Sequence, residues 1–225
     1  YLPTRWQTRQ WLSGFTGSMG TLVVTADRAA LFADSRYWEQ AAAELDGSGI
    51  ELVKIPTGAA SHHIDWIAAQ LQRGQVIAVD GQVLGLAVAQ QLRTALDKAG
   101  ITLRTDIDLI NQVWPDRPAP PTRSVYAHRS PHADAPRTAR LARVREATAQ
   151  HGATHHFVST VDDIAWITSL RGGDVDYNPV FLAHLLVGPQ AATLCGGAGK
   201  VDAALAQQRA ADGVVIADYA RAPEA

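Results

Sequence analysis

The chain alternates short apolar runs with segments whose apolar residues recur every three or four positions. Residues 21–25 and 28–33 are β-prone and flank Ala26 and Asp27, so they predict a hairpin or a tight strand pair. A helix from Trp38 to Leu45 should follow and end at the polar residues 46–49. The other predicted strands of this half are at 50–55, 76–79 and 101–103. Two further helices are predicted, one beginning at Ser61 and one spanning 84–99.

The stretch 115–121 contains four of the eleven prolines within seven residues. Neither helix nor strand tolerates this density of proline, so a stiff extended segment and a domain boundary are predicted, with domains at 1–118 and 119–225. Strands alternating with helices predict an α/β fold with a central sheet. In the second half, helices are expected at 137–150, 162–170 (capped by Asp162 or Asp163) and 201–211, with strands at 154–160, 180–187, 191–195 and 214–217; the strands at 180–187 and 191–195 should pair.

Composition and charge restrict the function classes. The 225 residues are 47% hydrophobic and 19% charged, which excludes a disordered or collagen-like chain. Twenty basic residues oppose 22 acidic ones, so no overall field favours nucleic acid or anionic lipid; a small neutral substrate or a peptide fits better. The longest uncharged stretch, 177–199, is interrupted by Pro179, Pro189 and several glycines and is no membrane span. One cysteine, Cys195, cannot form an internal disulfide and suits a reducing compartment. No secretory signal is visible, and the start looks cut.

Several candidate chemistries are weak. The adjacent pairs His62-His63 and His155-His156 cannot each chelate one ion, since neighbouring side chains diverge. Asp163, Asp174 and Asp176 could bridge two divalent ions, but capping and loop roles are favoured because a histidine and glutamates to complete the cage are missing. Cys195, on an apolar strand, is predicted to be core, and the glycines at 172–173 and 196–199 to form turns. A solvated helix face is expected for the arginines at 123, 129, 137, 140, 143 and 145.

Two segments are harder to assign to structure alone. Residues 11–20 combine three glycines with three small hydroxyl side chains and predict a shaped loop before a strand. Arg36 lies where a strand ends and a helix begins, where its charge opposes the positive helix terminus. It could clamp a ligand carboxylate or carbonyl, or it could form a structural ion pair.

Five motifs, in order and with matching gaps, resemble the three-domain Xaa-Pro aminopeptidases (aminopeptidase P), which belong to the creatinase/prolidase group. They are LSGFTGS (12–18), DSRY (34–37) with QA (40–41), WPDRP (114–118), DIAWI (163–167) and LRGGD (170–174) with NPV (178–180). The departures are mild: Ser35, Met19 and Trp38 stand where the family usually has Gly, Ala and Phe.

The resemblance implies two tandem creatinase-like N-terminal domains, each a mixed central sheet flanked by helices. It implies a cytoplasmic, homodimeric metallopeptidase that releases the N-terminal residue from peptides with proline second, with two divalent ions, commonly manganese. The metal ligands and catalytic histidines of the family lie in a pita-bread domain that these residues lack, as they lack the family's opening few tens of residues. Asp163 and Asp174 match the second-domain motif and not the metal ligands. Arg36 is the one substrate-binding residue carried over, and no catalytic or metal residue is expected among these 225 residues.

Two alternatives stay open. The chain could be a stand-alone binding or assembly module that kept the scaffold and lost the enzyme. Creatinase or prolidase is a third possibility, but those relatives have a single N-terminal domain.

Overall fold

The chain folds as two units, and the boundary between them falls within the proline-rich stretch 115–121. The computed structural model describes residues 2–56, 61–133, 135–196 and 199–224. The first unit spans Thr4–Pro118, and the second begins at Ala119 and takes in Leu2 and Pro3. Among the described residues, no helix is long and apolar enough to cross a membrane.

The first unit follows the predicted order of strands and helices. Its elements are α1 (Thr8–Ser13), β1 (Thr21–Val24), β2 (Ala29–Asp34), α2 (Trp38–Glu44), β3 (Glu51–Ile55), α3 (His62–Gln70), β4 (Val76–Ala78), α4 (Leu86–Ala99), β5 (Thr102–Arg104) and α5 (Ile110–Val113). The predicted hairpin is confirmed, because β1 pairs antiparallel with β2. Helix α2 then crosses over to β3, which pairs parallel with β2.

Strand β2 is buried on both of its faces. Successive side chains of a strand point to opposite faces. Ala30 and Phe32 join a cluster with α3 and α4, while Leu31 and Ala33 join a second cluster with Phe15 and α2. This double burial explains the continuous apolar run in the sequence.

The sheet of the first unit is divided. Strands β1, β2 and β3 form one ladder, and β4 and β5 form a separate parallel pair. Ile77 of β4 and Leu103 of β5 nevertheless pack against the cluster that contains Phe32. The two ladders therefore share one core, although each of these two strands is only three residues long.

One prediction for the first unit is partly wrong. The expected loop at 11–20 begins later, because Trp11, Leu12 and Ser13 form the end of α1. The helix is short, and its apolar residues are too few to show a helical period in the sequence. Trp11 stacks on Trp114, with ring centres 4.7 Å apart, and this long-range contact stabilises the last turn of α1.

The second unit contains a mixed four-stranded sheet. Its elements are β6 (Tyr126–Ala127), α6 (Arg137–Gln150), β7 (His156–Val158), α7 (Val161–Thr168), β8 (Leu170–Arg171), β9 (His184–Val187), β10 (Ala192–Cys195), α8 (Ala203–Ala211) and β11 (Val214–Ala217). The strand order is β11-β10-β9-β7. The predicted pairing across 188–190 is confirmed as the antiparallel ladder of β9 and β10, and α8 connects β10 to its parallel neighbour β11.

The core of the second unit joins the sheet to its helices. Leu185 and Leu194 of the sheet cluster with Leu141 of α6, Ile164 of α7 and Leu205 of α8. Cys195 is 1% exposed, and burial raises the pKa of its thiol, so the prediction that it is a core residue is confirmed.

Two details of the second unit differ from the sequence expectation. Helix α7 begins at Val161 with Thr160 as N-cap, so Asp162 and Asp163 lie in the first turn and neither caps the helix. Their charge still favours the helix N-terminus. The strand expected at 180–187 begins only at His184. Pro179 and Val180 instead accept backbone hydrogen bonds from Gly172 and Asp174, at 3.3 and 3.1 Å.

Candidate functional site

The 14–20 loop begins at a left-handed turn after α1. Gly14 has φ +74° and donates its N–H to the carbonyl oxygen of Gln10 at 2.8 Å. The hydroxyl of Ser13 donates to the carbonyl oxygen of Arg9 at 2.7 Å and accepts from the N–H of Phe15 at 3.2 Å. The turn directs Phe15 into the core, where it is fully buried.

The side chain of Arg9 binds the backbone of the 14–20 loop at two carbonyl oxygens. Its Nη1 donates to the carbonyl oxygen of Gly20 at 2.7 Å, and its Nη2 donates to that of Gly17. The guanidinium also lies 5.2 Å from the ring centre of Phe15. Burial lowers the pKa of Arg9 from its ordinary value. Arg9 therefore acts as a structural clamp for the loop backbone.

The middle of the 14–20 loop is tied to α2. Thr16 donates its N–H to Glu44 at 2.9 Å and its hydroxyl to the other carboxylate oxygen at 2.6 Å. Gln40 donates to both Thr16 and Glu44, at 2.8 and 3.1 Å. These bonds, the Thr16 hydroxyl first, lower the pKa of Glu44. The motif residues Thr16 and Gln40 thus fix one edge of the loop.

Asp34 and Arg36 occupy the end of β2. Asp34 accepts the N–H of Arg36 at 3.1 Å and caps the short 3₁₀ turn Ser35–Tyr37. Its two carboxylate oxygens also accept from Nε and Nη2 of Arg36, at 3.1 and 2.7 Å. The side chain of Asp34 is 2% exposed and that of Arg36 is 59% exposed.

The charges of this pair stabilise each other. The hydrogen bond from the Arg36 side chain holds the pKa of Asp34 below its ordinary value, and the same bond raises the pKa of Arg36. The sequence showed an arginine in an unfavourable place without visible compensation; the structure supplies that compensation through Asp34. Of the two sequence hypotheses, the ion pair is present, and the exposed remainder of Arg36 is free to meet solvent or a ligand.

Tyr37 joins the 14–20 loop to the Arg36 turn. Its hydroxyl lies 2.5 Å from the hydroxyl of Ser18, and its ring packs edge-on against Phe15 at 6.0 Å. The Arg36 guanidinium lies 5.4 Å from the centre of the Tyr37 ring. Gly17 leaves the space that the rings of Phe15 and Tyr37 occupy. The loop and the turn therefore form one cluster that presents a guanidinium to solvent.

Three of the six arginines that the sequence predicts on a solvated face are instead half-buried or buried, while Arg123, Arg129 and Arg143 are exposed as predicted. Arg140 is 3% exposed and donates to the carbonyl oxygen of Trp166 at 2.6 Å, and Arg137 pairs with Asp212. Arg145 donates to a backbone carbonyl at 2.9 Å. Helix α6 packs on the core through Leu141 and Val144, and these arginines extend the contact to neighbouring elements. That expectation is wrong for these three residues.

The second-unit motif is anchored by a buried ion pair. Asp174 accepts from Lys200 and from the N–H of Leu182, the latter at 2.7 Å, and the two charged side chains are 0% and 7% exposed. Asp163, by contrast, is exposed on α7. Among the described residues, no three potential ligands from histidine, cysteine, aspartate and glutamate gather around one point. The side chains in the described ranges therefore do not supply the ligand set of a two-metal site.

Three residues of the cluster around Arg36 stand in the sequence motifs, but the sequence reasoning assigned them no role. Asp34 lies two positions before Arg36, and an aspartate at a strand end is a common cap, so its role could have been found. Ser18 and Tyr37 are 19 positions apart, and no local pattern indicates their bond.

Two domain families and several relatives match the chain. Two family sequence profiles, both of the creatinase/prolidase N-terminal domain, match this chain, one over residues 2–110 and the other over residues 116–225. A protein of Talaromyces marneffei named probable Xaa-Pro aminopeptidase P is 36% identical over 83% of this chain, and one of Metarhizium robertsii with the same name is 35% identical over 86%. The alignments cover 28% and 32% of those proteins, so the chain spans about a third of their length.

A solved structure matches the fold of nearly the whole chain. It is the X-prolyl aminopeptidase of Caenorhabditis elegans, described as a cytosolic enzyme with a di-nuclear active site. The TM-score is 0.90 and the identity 26%, over 98% of this chain and 36% of the other. Both units thus have counterparts in one such protein.

Proposed function

Because the chain belongs to the creatinase/prolidase N-terminal domain family, with two such domains in tandem, we propose that it is the non-catalytic N-terminal portion of a metal-dependent Xaa-Pro aminopeptidase. The enzyme would release the N-terminal residue from peptides with proline in the second position. The match over nearly the whole chain to aminopeptidases of that description carries this proposal.

The chemistry would come from residues outside this chain. The described residues gather no metal-binding set, so no chemical step is assigned to them. We propose that the full-length protein holds two divalent ions, manganese in particular, in a further domain. This is supported by the di-nuclear site named for the structural neighbour.

The two domains would gate the entrance and position the peptide. Orientation of a substrate against a reactive centre lowers the barrier without any covalent role for the orienting residues. Arg36 is the proposed substrate-binding residue, because the cluster around it fixes one side of the guanidinium and leaves 59% of the side chain exposed. A planar guanidinium suits the carbonyl and carboxylate oxygens of a peptide.

We also propose a cytosolic location and a homodimeric full-length protein. The description of the neighbour as cytosolic supports the location. Size-exclusion chromatography with light scattering of the full-length protein would contradict the dimer if it gave the mass of one chain.

The test compares the two N-terminal domains alone with the full-length protein. With added Mn²⁺ and a peptide with proline second, we expect the full-length protein to release the N-terminal residue and the 225-residue chain to release none. A chelator should abolish the activity of the full-length protein. Metal-dependent release by the 225-residue chain would refute the assignment of a non-catalytic role.

The coding sequence beyond residue 225 provides an independent check. We expect it to encode two aspartates, one histidine and two glutamates at the spacing of a pita-bread domain. A stop codon close to residue 225 would instead favour the stand-alone binding or assembly module.

A further inference from the structure

Asp34 is hydrogen-bonded to the backbone and the side chain of Arg36 and carries the charge that balances the guanidinium. We propose that Asp34 is a positioning residue that determines specificity: it orients the Arg36 guanidinium and balances its charge, so that the pair, with no net charge, binds a peptide carbonyl in preference to a free carboxylate. The inference rests on the proposed function, because it assumes that Arg36 contacts the peptide.

The orientation of Arg36 follows from three bonds to one buried residue. Asp34 accepts from the backbone N–H, Nε and Nη2 of Arg36. Asp34 itself is the last residue of β2 and is 1% exposed, while its strand packs against a core on each face. The carboxylate is therefore fixed by the fold, and the longer and more exposed arginine follows it.

The bonds to Asp34 use one edge of the guanidinium and leave the other. Nε and Nη2 face the carboxylate. No hydrogen bond joins Nη1 to any residue that the structure describes, so Nη1 and the second hydrogen of Nη2 form an outer edge with parallel donors. The ring of Tyr37 covers the guanidinium at 5.4 Å. A ligand oxygen can reach the outer edge in the plane of the group.

The net charge at that edge decides what binds. The pair of Asp34 and Arg36 carries no net charge, because both partners stay ionised in their hydrogen-bonded pair. A ligand carboxylate would gain hydrogen bonds from Arg36 but would also be repelled by Asp34 a few ångströms behind it. A neutral carbonyl gains the hydrogen bonds without the repulsion and loses less hydration on binding, because a charged group costs more to desolvate than a neutral one. The site should thus select the main-chain carbonyl of a longer peptide over a terminal carboxylate.

A second pair in the same unit has the same local geometry in a different setting. Arg104 donates through Nε and Nη2 to Asp106, two positions later, at 3.0 and 2.7 Å. Both side chains of this pair are exposed, at 46% and 67%. The carboxylate that binds Arg104 is therefore not fixed in a core, so Asp106→Asn is a matched control for Asp34→Asn.

The experiment uses the full-length protein and the peptides Ala-Pro and Ala-Pro-Ala, each as the free acid and as the C-terminal amide. The quantity measured is the ratio of kcat/KM for acid to that for amide. Asp34→Asn keeps the shape and one acceptor of the side chain but removes its charge. We expect it to raise the ratio for at least one peptide length by about four-fold or more, the effect of one unit charge at a few ångströms in water. Asp106→Asn should leave every ratio unchanged.

The outcomes separate this inference from the proposed function. If Arg36→Ala leaves kcat/KM unchanged for all four peptides, the proposed role of Arg36 fails. If Arg36→Ala impairs cleavage but folded Asp34→Asn leaves every ratio unchanged, the inference about Asp34 alone is overturned. If Asp34→Asn does not fold, the inference is tested by comparing Arg36→Ala with the parent protein, in both of which Asp34 is intact. Arg36→Ala should then lower kcat/KM for the amides at least as much as for the acids. A larger loss for the acids would overturn the inference.

Discussion

Gly17 lies where the 14–20 loop crosses the rings that support Arg36. A Cβ at this position would overlap the ring of Phe15 and lie 2.8 Å from Cδ1 of Tyr37. Phe15 is fully buried against Leu31, Ala33 and the residues of α2, so its ring has no room to withdraw. Adding a methyl group to a packed core costs about 1–3 kcal/mol. We predict that Gly17→Ala lowers the free energy of unfolding of the first unit by this amount.

Urea unfolding followed by tryptophan fluorescence measures this loss. Five of the six tryptophans precede Pro118, so the signal reports mainly on the first unit. The control is Gly85→Ala, since a Cβ there meets nothing within 4 Å. Gly85 is the N-cap of α4, where alanine caps less well than glycine, but alanine also restricts the unfolded chain. These two effects oppose each other, so we expect the free energy of unfolding to change by less than about 0.5 kcal/mol. Equal midpoints for Gly17→Ala and the parent protein would show that the packing around Tyr37 is loose and would refute the reasoning.

Two further predictions concern the second unit. Lys200→Met leaves the carboxylate of Asp174 buried without its partner and should lower the free energy of unfolding by about 3–5 kcal/mol. Adding Asp174→Asn to this variant should recover most of the loss. Equal stability of the single and the double variant in urea would contradict this prediction. Burial lowers the pKa of His184, whose nitrogens lie 3.0 and 3.2 Å from the hydroxyls of Ser159 and Tyr219. Protons then bind the unfolded state more readily, so His184 contributes stability above its unfolded pKa of about 6.5 that is lost as the pH falls through its folded pKa. The thermal midpoint should fall between pH 7 and pH 5 less steeply in His184→Gln than in the exposed control His151→Gln, and identical slopes would contradict the assignment.

Local pattern predicted the elements that depend on local chemistry. Helix α6 has the predicted bounds, and the hairpins of β1 with β2 and of β9 with β10 follow from β-prone runs beside turn residues. The two-residue ladder of β6 with β8 was not predicted, because Tyr126 pairs with Arg171 across 45 positions and so short a strand leaves no period. Burial of Arg140 was missed for a related reason: its partner Trp166 is distant in sequence.

The candidate site was predictable in part. Arg36 was selected from its place in a motif, and the glycines of the 14–20 loop from their density. The role of Asp34 depends on side-chain geometry at a strand end, and that of Glu44 depends on a contact with Thr16 over 28 positions. The motifs select these residues, but they do not predict the hydrogen bonds that join the residues into one cluster.

The central claim is that this chain positions a peptide for a reaction carried out elsewhere in the protein. The most direct test is kcat and KM of the full-length protein with Arg36→Ala, on a peptide with proline second, beside Arg104→Ala as the control for loss of an exposed arginine. We predict that Arg36→Ala lowers kcat/KM by about ten-fold or more, the loss of a charge-assisted hydrogen bond, in a protein that stays folded at the assay temperature. Its thermal midpoint should fall, because Asp34 loses its ion-pair partner. Arg104→Ala should leave kcat/KM unchanged. Parent-like kinetics of the folded Arg36→Ala protein would contradict the account.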